Sequence, residues 1–120
     1  MRIGISAASK DLDALLDPRF GRCPYFLIVD TETKEFEVVD NPGNMAGGGA
    51  GIRAAQAFLQ LGTKELVTGQ AGPNAFEVLV EGGVKIYQAP QVKISEVIEL
   101  YKNGDLKQIT TPGGRGRGSR

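Results

Sequence analysis

From Ile52 to Tyr101 the sequence alternates between two periods, and that alternation restricts the chain to a sheet covered by helices. Ile52, Ala55, Phe58, Leu59 and Leu61 fall near one helical face, and Gly62 supplies a stop. The run Glu65-Leu66-Val67-Thr68 reads as a short strand, residues 74–80 as a second helix ended by Gly82-Gly83, and residues 84–88 as another strand. A third helix begins near Lys93, continues to Tyr101 and is capped by Asn103-Gly104. Strands separated by helices pair in parallel through right-handed crossovers.

The first part of the chain adds an antiparallel element. Residues 2–7 alternate apolar side chains and read as a first strand, whereas residues 8–24 form a long loop whose helical hint at 11–16 is too short to stand alone. The apolar run from Tyr25 to Asp30 and the strand at 35–40 are joined by Thr31-Glu32-Thr33-Lys34, a connection short enough to make a hairpin. The glycine-rich segment 41–51 carries no regular element. These elements predict a single α/β domain over residues 1–110, a five-stranded mixed sheet with flanking helices, followed at 111–120 by a disordered basic tail of glycine and arginine.

A chain of 120 residues is long enough to bury a core without staples. Fourteen basic residues balance fourteen acidic ones, so no broad field favours nucleic acid or a membrane surface. The lone Cys23 cannot close an internal disulfide, and no apolar run reaches the length of a membrane span. The expected location is the cytoplasm. With no histidine, the commonest metal ligand and general base are missing, and no catalytic constellation is apparent.

The expected strand directions bring several loops to one edge of the sheet, where open sheets bind ligands. They are the loop after the first strand, the glycine-rich loop, Gly69-Gln70-Ala71-Gly72-Pro73 and Ala89-Pro90-Gln91; Cys23, entering the reversed strand, joins them. Gly47, Gly48 and Gly49 give room for a backbone to pass a ligand, and the helix that follows offers free N–H groups to an anion. Gly69 and Gly72 turn from strand to helix and place more amides beside it, although a plain connection would use the same residues.

Cys23 could be a metal or cluster thiolate, a redox thiol or an inert half-buried residue; nearby Arg19 and Arg22 would lower its pKa. The same arginines suit an anionic ligand or a solvated surface. Met45 is a soft thioether that could ligate or merely fill a gap. Asp17 and Asp40, at two strand ends, could hold a hard cation in a small hydrolase or serve as turn residues.

The segments Arg19-Phe20-Gly21-Arg22-Cys23-Pro24-Tyr25-Phe26-Leu27-Ile28-Val29-Asp30, the glycine-rich loop and Gly69-Gln70-Ala71-Gly72-Pro73-Asn74-Ala75-Phe76 resemble, in this order, the dinitrogenase iron-molybdenum cofactor-binding family. That family includes nitrogenase cofactor carriers, the carboxyl-terminal region of NifB proteins and orange proteins that hold a molybdenum-copper-sulfur cluster. The resemblance implies a ribonuclease H-like fold and a small non-enzymatic carrier for an anionic Fe-, Mo- or Cu-sulfur cluster, with cluster donor and acceptor proteins as partners. It places Phe20 and Gly21 at the site beside Arg19 and Arg22. Many members have histidine where this chain has Arg19, which leaves Cys23 as the strong soft ligand. A protein-interaction or regulatory module with no bound metal is the alternative.

Overall fold

The computed structural model describes residues 1–45 and 47–113. The strands are β1 (Arg2–Ala7), β2 (Tyr25–Asp30), β3 (Phe36–Asp40), β4 (Glu65–Thr68), β5 (Lys85–Gln88) and β6 (Lys107–Gln108). The helices are α1 (Ala50–Gln60), α2 (Pro73–Glu81) and α3 (Ile94–Lys102). One mixed sheet runs in the order β3-β2-β1-β4-β5-β6, with β1, β4 and β5 parallel and with β2 antiparallel to both β1 and β3.

Among the described residues the sheet has six strands, one more than the sequence predicts. Strand β6 is the polar pair Lys107-Gln108, antiparallel to β5, with no apolar alternation to announce it. The helical hint at 11–16 forms no helix: residues 11–14 make a turn, and then Leu15 bridges Lys93 and Leu16 bridges Ala7, which ties the loop to the start of α3 and to β1. Pro42–Met45 forms a single 3-10 turn inside the segment expected to be irregular.

Alternation along the strands divides the core between the two faces of the sheet. Phe26, Ile28, Leu66 and Ile86 meet Ala54, Ala55 and Phe58 of α1 and Leu79 of α2 on one face. Ile3, Ile5, Leu27, Val29 and Val67 meet Ile94, Val97 and Ile98 of α3 on the other. Phe20, from the loop before β2, joins the first face and stacks on Phe26 with ring centroids 5.3 Å apart.

The expected separate tail from Thr111 begins within the described residues. Gly113 donates its N–H to Ala71 O at 2.9 Å, which holds this segment against the loop after β4. Residues 114–120, with the three arginines of that expected tail, lie outside the described residues. Among the described residues no helix is long and apolar enough to cross a membrane.

Candidate functional site

The loop before β2 is held at the sheet edge by its own aspartate and by the chain after β4. Asp17 is buried, and its Oδ1 accepts from Arg19 N (2.9 Å) and Arg19 Nε (3.1 Å), while Oδ2 accepts from Arg19 Nη2 (3.0 Å). Gln70 N donates to Pro18 O (2.9 Å) and Phe20 N to Gln70 O (3.3 Å), so residues 18–20 extend the sheet beside the end of β4. Ser6 Oγ, buried at the end of β1, donates to Asp17 O at 2.6 Å and shares a hydrogen bond with Thr68 Oγ1 at 2.7 Å.

Beyond Arg19 the chain makes one tight turn, with Arg22 N (3.3 Å) and Cys23 N (2.9 Å) both donating to Arg19 O. Its inner side is closed. Phe20 and Cys23 are buried, the Cys23 thiol donates to Phe20 O at 3.3 Å, and Asn41 spans the turn from beneath. The Asn41 amide Nδ2 lies 2.8 Å from Cys23 O, 3.3 Å from both Phe20 O and Gly21 O, and 3.5 Å from Cys23 Sγ.

Burial pushes the Cys23 thiol up to about 12, outweighing the contact with Asn41, which favours the thiolate. The thiolate expected from the two arginines is therefore not what this geometry supports. Arg19 is bound by Asp17, whose contact raises the guanidinium pKa, and Asp17 itself disfavours a negative sulfur.

The outer side of the turn is open. Gly21 and Arg22 line a cleft of about 350 Å³ together with Gly49, Ala50, Gly51 and Ile52 at the start of α1 and Gly72, Pro73, Asn74 and Ala75 at the start of α2. The approach depends on glycine: a Cβ on Gly21 would sit 3.1 Å from both Gly51 N and Gly51 Cα. Gly49, at φ 69°, turns the chain into α1 in a conformation that side chains disfavour.

Neither helix is capped by a side chain. Gly49 and Gly72 occupy the capping positions and make no side-chain hydrogen bond. Helix geometry leaves the first N–H groups of each helix without an intrahelical acceptor, and the dipoles bring positive ends to the same place. Two amide-bearing termini and the Arg22 side chain thus face one cleft, an arrangement suited to an anion. A larger groove of about 520 Å³ lies beside Gln70, Gln88 and Gln91, but its lining contains no charged residue and no helix start.

Of the residues singled out in the sequence, the cleft gathers Gly21, Arg22, Gly49 and Gly72. Arg19 is paired with Asp17, Phe20 and Cys23 are in the core, and Gly69 packs on Pro18. Gly47 and Gly48 stand in open space and Met45 is 86% exposed. Asp40, at the end of β3, is exposed, and among the described residues no group of three or more Cys, Asp or Glu is placed to hold a metal ion. Asn41 opens the segment in which the sequence predicts no regular element; its role in holding three carbonyls depends on contacts 18 to 21 residues away and leaves no local signal.

A profile of the dinitrogenase iron-molybdenum cofactor family matches residues 1–104. The chain belongs to this family. The family member from Desulfovibrio gigas known as the orange protein, solved in its apo form, superposes with a TM-score of 0.88 at 36% identity, over 93% of this chain and 95% of that one. A putative NifB protein from Thermotoga gives 0.81 at 35% identity, over 96% and 98% of the two chains. An uncharacterized protein of Methanocaldococcus jannaschii is 31% identical over an alignment of 97 residues that covers 78% of this chain and 82% of the relative.

Proposed function

We propose that this member of the dinitrogenase iron-molybdenum cofactor family is a small carrier whose cargo is an anionic metal-sulfur cluster. The observation that carries the reading is the convergence of two helix starts without side-chain caps and Arg22 on one glycine-lined cleft. The donor set fits such a cargo. Amides near Gly51, Ile52, Asn74 and Ala75 and the Arg22 guanidinium offer hydrogen bonds to sulfide or oxide, and glycine at position 21 lets the turn pack against the Gly51 backbone at the wall of the cleft.

Binding of this kind recognises charge and needs no thiolate, in keeping with a Cys23 thiol that is buried and protonated at neutral pH. Amides and a guanidinium bind without supplying an acid, a base or a nucleophile, which supports transport over catalysis. On this reading the protein works in the cytoplasm between a cluster donor and an acceptor, with iron, molybdenum or copper in the cargo. A ribonuclease H-like classification is part of the same proposal, supported by the β3-β2-β1-β4-β5 order with β2 reversed.

The test is anaerobic titration of the purified protein with tetrathiomolybdate, followed by absorbance, metal stoichiometry and amide shifts. Saturable uptake that moves the amides of Gly21, Gly51 and Ala75 is expected. Uptake by Cys23→Ser equal to that of the wild type supports amide and arginine binding. No uptake by the wild type would sink the proposal.

A further inference from the structure

The outer edge of the sheet at β3 contributes no residue to the lining of the cleft. Among the described residues strand β3 pairs with β2 alone, and its residues are largely exposed, including Phe36 (39%) and Val38 (37%). Asp30 N donates to Glu35 O and Asn41 N to Pro24 O, at either end of the register that sets Ile28 opposite Glu37 and Phe26 opposite Val39. The main-chain groups of Glu35, Glu37, Val39 and Asn41 therefore point toward β2, and those of Phe36, Val38 and Asp40 point away from the sheet.

Side chains on this edge alternate in character as well. Phe36 and Val38 lie opposite Val29 and Leu27 on the face covered by α3, whereas Glu37 shares the opposite face with Ile28. Between Asp30 and Asp40 the sequence holds five carboxylates and one lysine. A second copy of this strand is a poor occupant: setting Phe36 against Val38 of that copy sets Glu37 against its own counterpart, like charges directly opposed.

We infer that β3 is a docking edge for an extended segment of a partner protein in which apolar and basic side chains alternate, added to the sheet as a seventh strand. Apolar positions of that segment meet Phe36 and Val38, and basic positions meet Glu35 and Glu37, the latter shared with Arg2, whose Nη2 lies 2.9 Å from Glu37 Oε2. The far end of β3 leads directly into Asn41, whose amide holds the Phe20–Cys23 turn. The partner's strand thus ends beside the residues that shape the cleft.

The experiment is an amide NMR titration at low salt with the synthetic peptide acetyl-Thr-Val-Lys-Val-Lys-Val-Thr-amide, and with the same peptide carrying Glu for Lys. The basic peptide is expected to shift the amides of Phe36, Val38 and Asp40, and the acidic one to leave them in place. Val38→Pro removes a donor that faces the partner and none that faces β2; it is expected to weaken binding about tenfold while leaving the melting temperature near that of the wild type. Should that variant not fold, the double substitution Glu35→Lys, Glu37→Lys is expected to reverse the preference toward the acidic peptide. Equal binding of the two peptides, unchanged affinity in Val38→Pro, an unreversed preference, no shift at these amides, or dimerisation through them without peptide each overturns the inference. None of these readouts uses the cargo, so the carrier proposal stands or falls separately.

Discussion

Within the turn from Phe20 to Cys23 neighbouring residues meet opposite environments. Phe20 and Cys23 point inward, where the first stacks on Phe26 and the second is shielded from solvent. Gly21 and Arg22 point outward and line the cleft. One side supplies stability and the other, on the proposed reading, recognition, and Asn41 ties the two together by holding carbonyls from both. A turn so fixed presents its outer atoms with little freedom, which would lower the entropic cost of holding the proposed anion.

That division can be broken from either side. Phe20→Ala is expected to have the largest effect, a loss of about 3–5 kcal/mol of stability in denaturant unfolding, because it leaves a cavity against Phe26 and Phe58. Its cargo affinity should fall only in proportion to the unfolded fraction. Gly21→Val should do the reverse: its Cβ meets the backbone of Gly51, and anion uptake is expected to drop by more than about tenfold, with a stability loss of about 1–3 kcal/mol. Retained uptake in Gly21→Val would show that the cleft is not the seat of the cargo.

Cys23→Ser sharpens the inner side, with an expected cost of about 1–3 kcal/mol from placing a stronger polar group in the core. The wild-type thiol is raised from 9.0 to about 12, so its contribution to stability is whole below pH 9 and is lost as pH rises toward 12. The unfolded chain has already given up that proton in this window. Unfolding experiments between pH 8 and about 11 should therefore show a decline in the wild type, with slope up to about 1.4 kcal/mol per pH unit, that is shallower in Cys23→Ser. The smallest effect on stability, within about 0.5 kcal/mol, belongs to Arg22→Gln, which should still weaken tetrathiomolybdate binding about fivefold at low salt.

Much of the fold is legible in the sequence because periodicity reports burial directly. The strands at 2–7, 25–30 and 65–68 agree with the observed elements, and the three helices differ only by a few terminal residues. Strand β6 was not legible, since two polar residues pair through their main chain and carry no pattern. The site divides in the same way. Its place at the strand ends follows from topology, but the partition of Arg19 from Arg22 does not. Whether an arginine two residues from an aspartate turns back to it or reaches outward is settled by the backbone of the turn, through Arg19 N on Asp17 Oδ1. The burial of Cys23 is equally non-local, since β2, Asn41 and the packed Phe20 ring together exclude water from it.

The glycine contact between Gly21 and Gly51 has a consequence for how this surface can change over generations. Peptide amides are common to nearly every residue type, so a cradle built mainly from them keeps its polarity while side chains around it are exchanged. What it cannot lose is the absence of a side chain at the point of closest approach. Close approach of two backbones there, rather than any reactive group, is what such a cradle has to preserve, and an inventory of metal-binding side chains would pass over it.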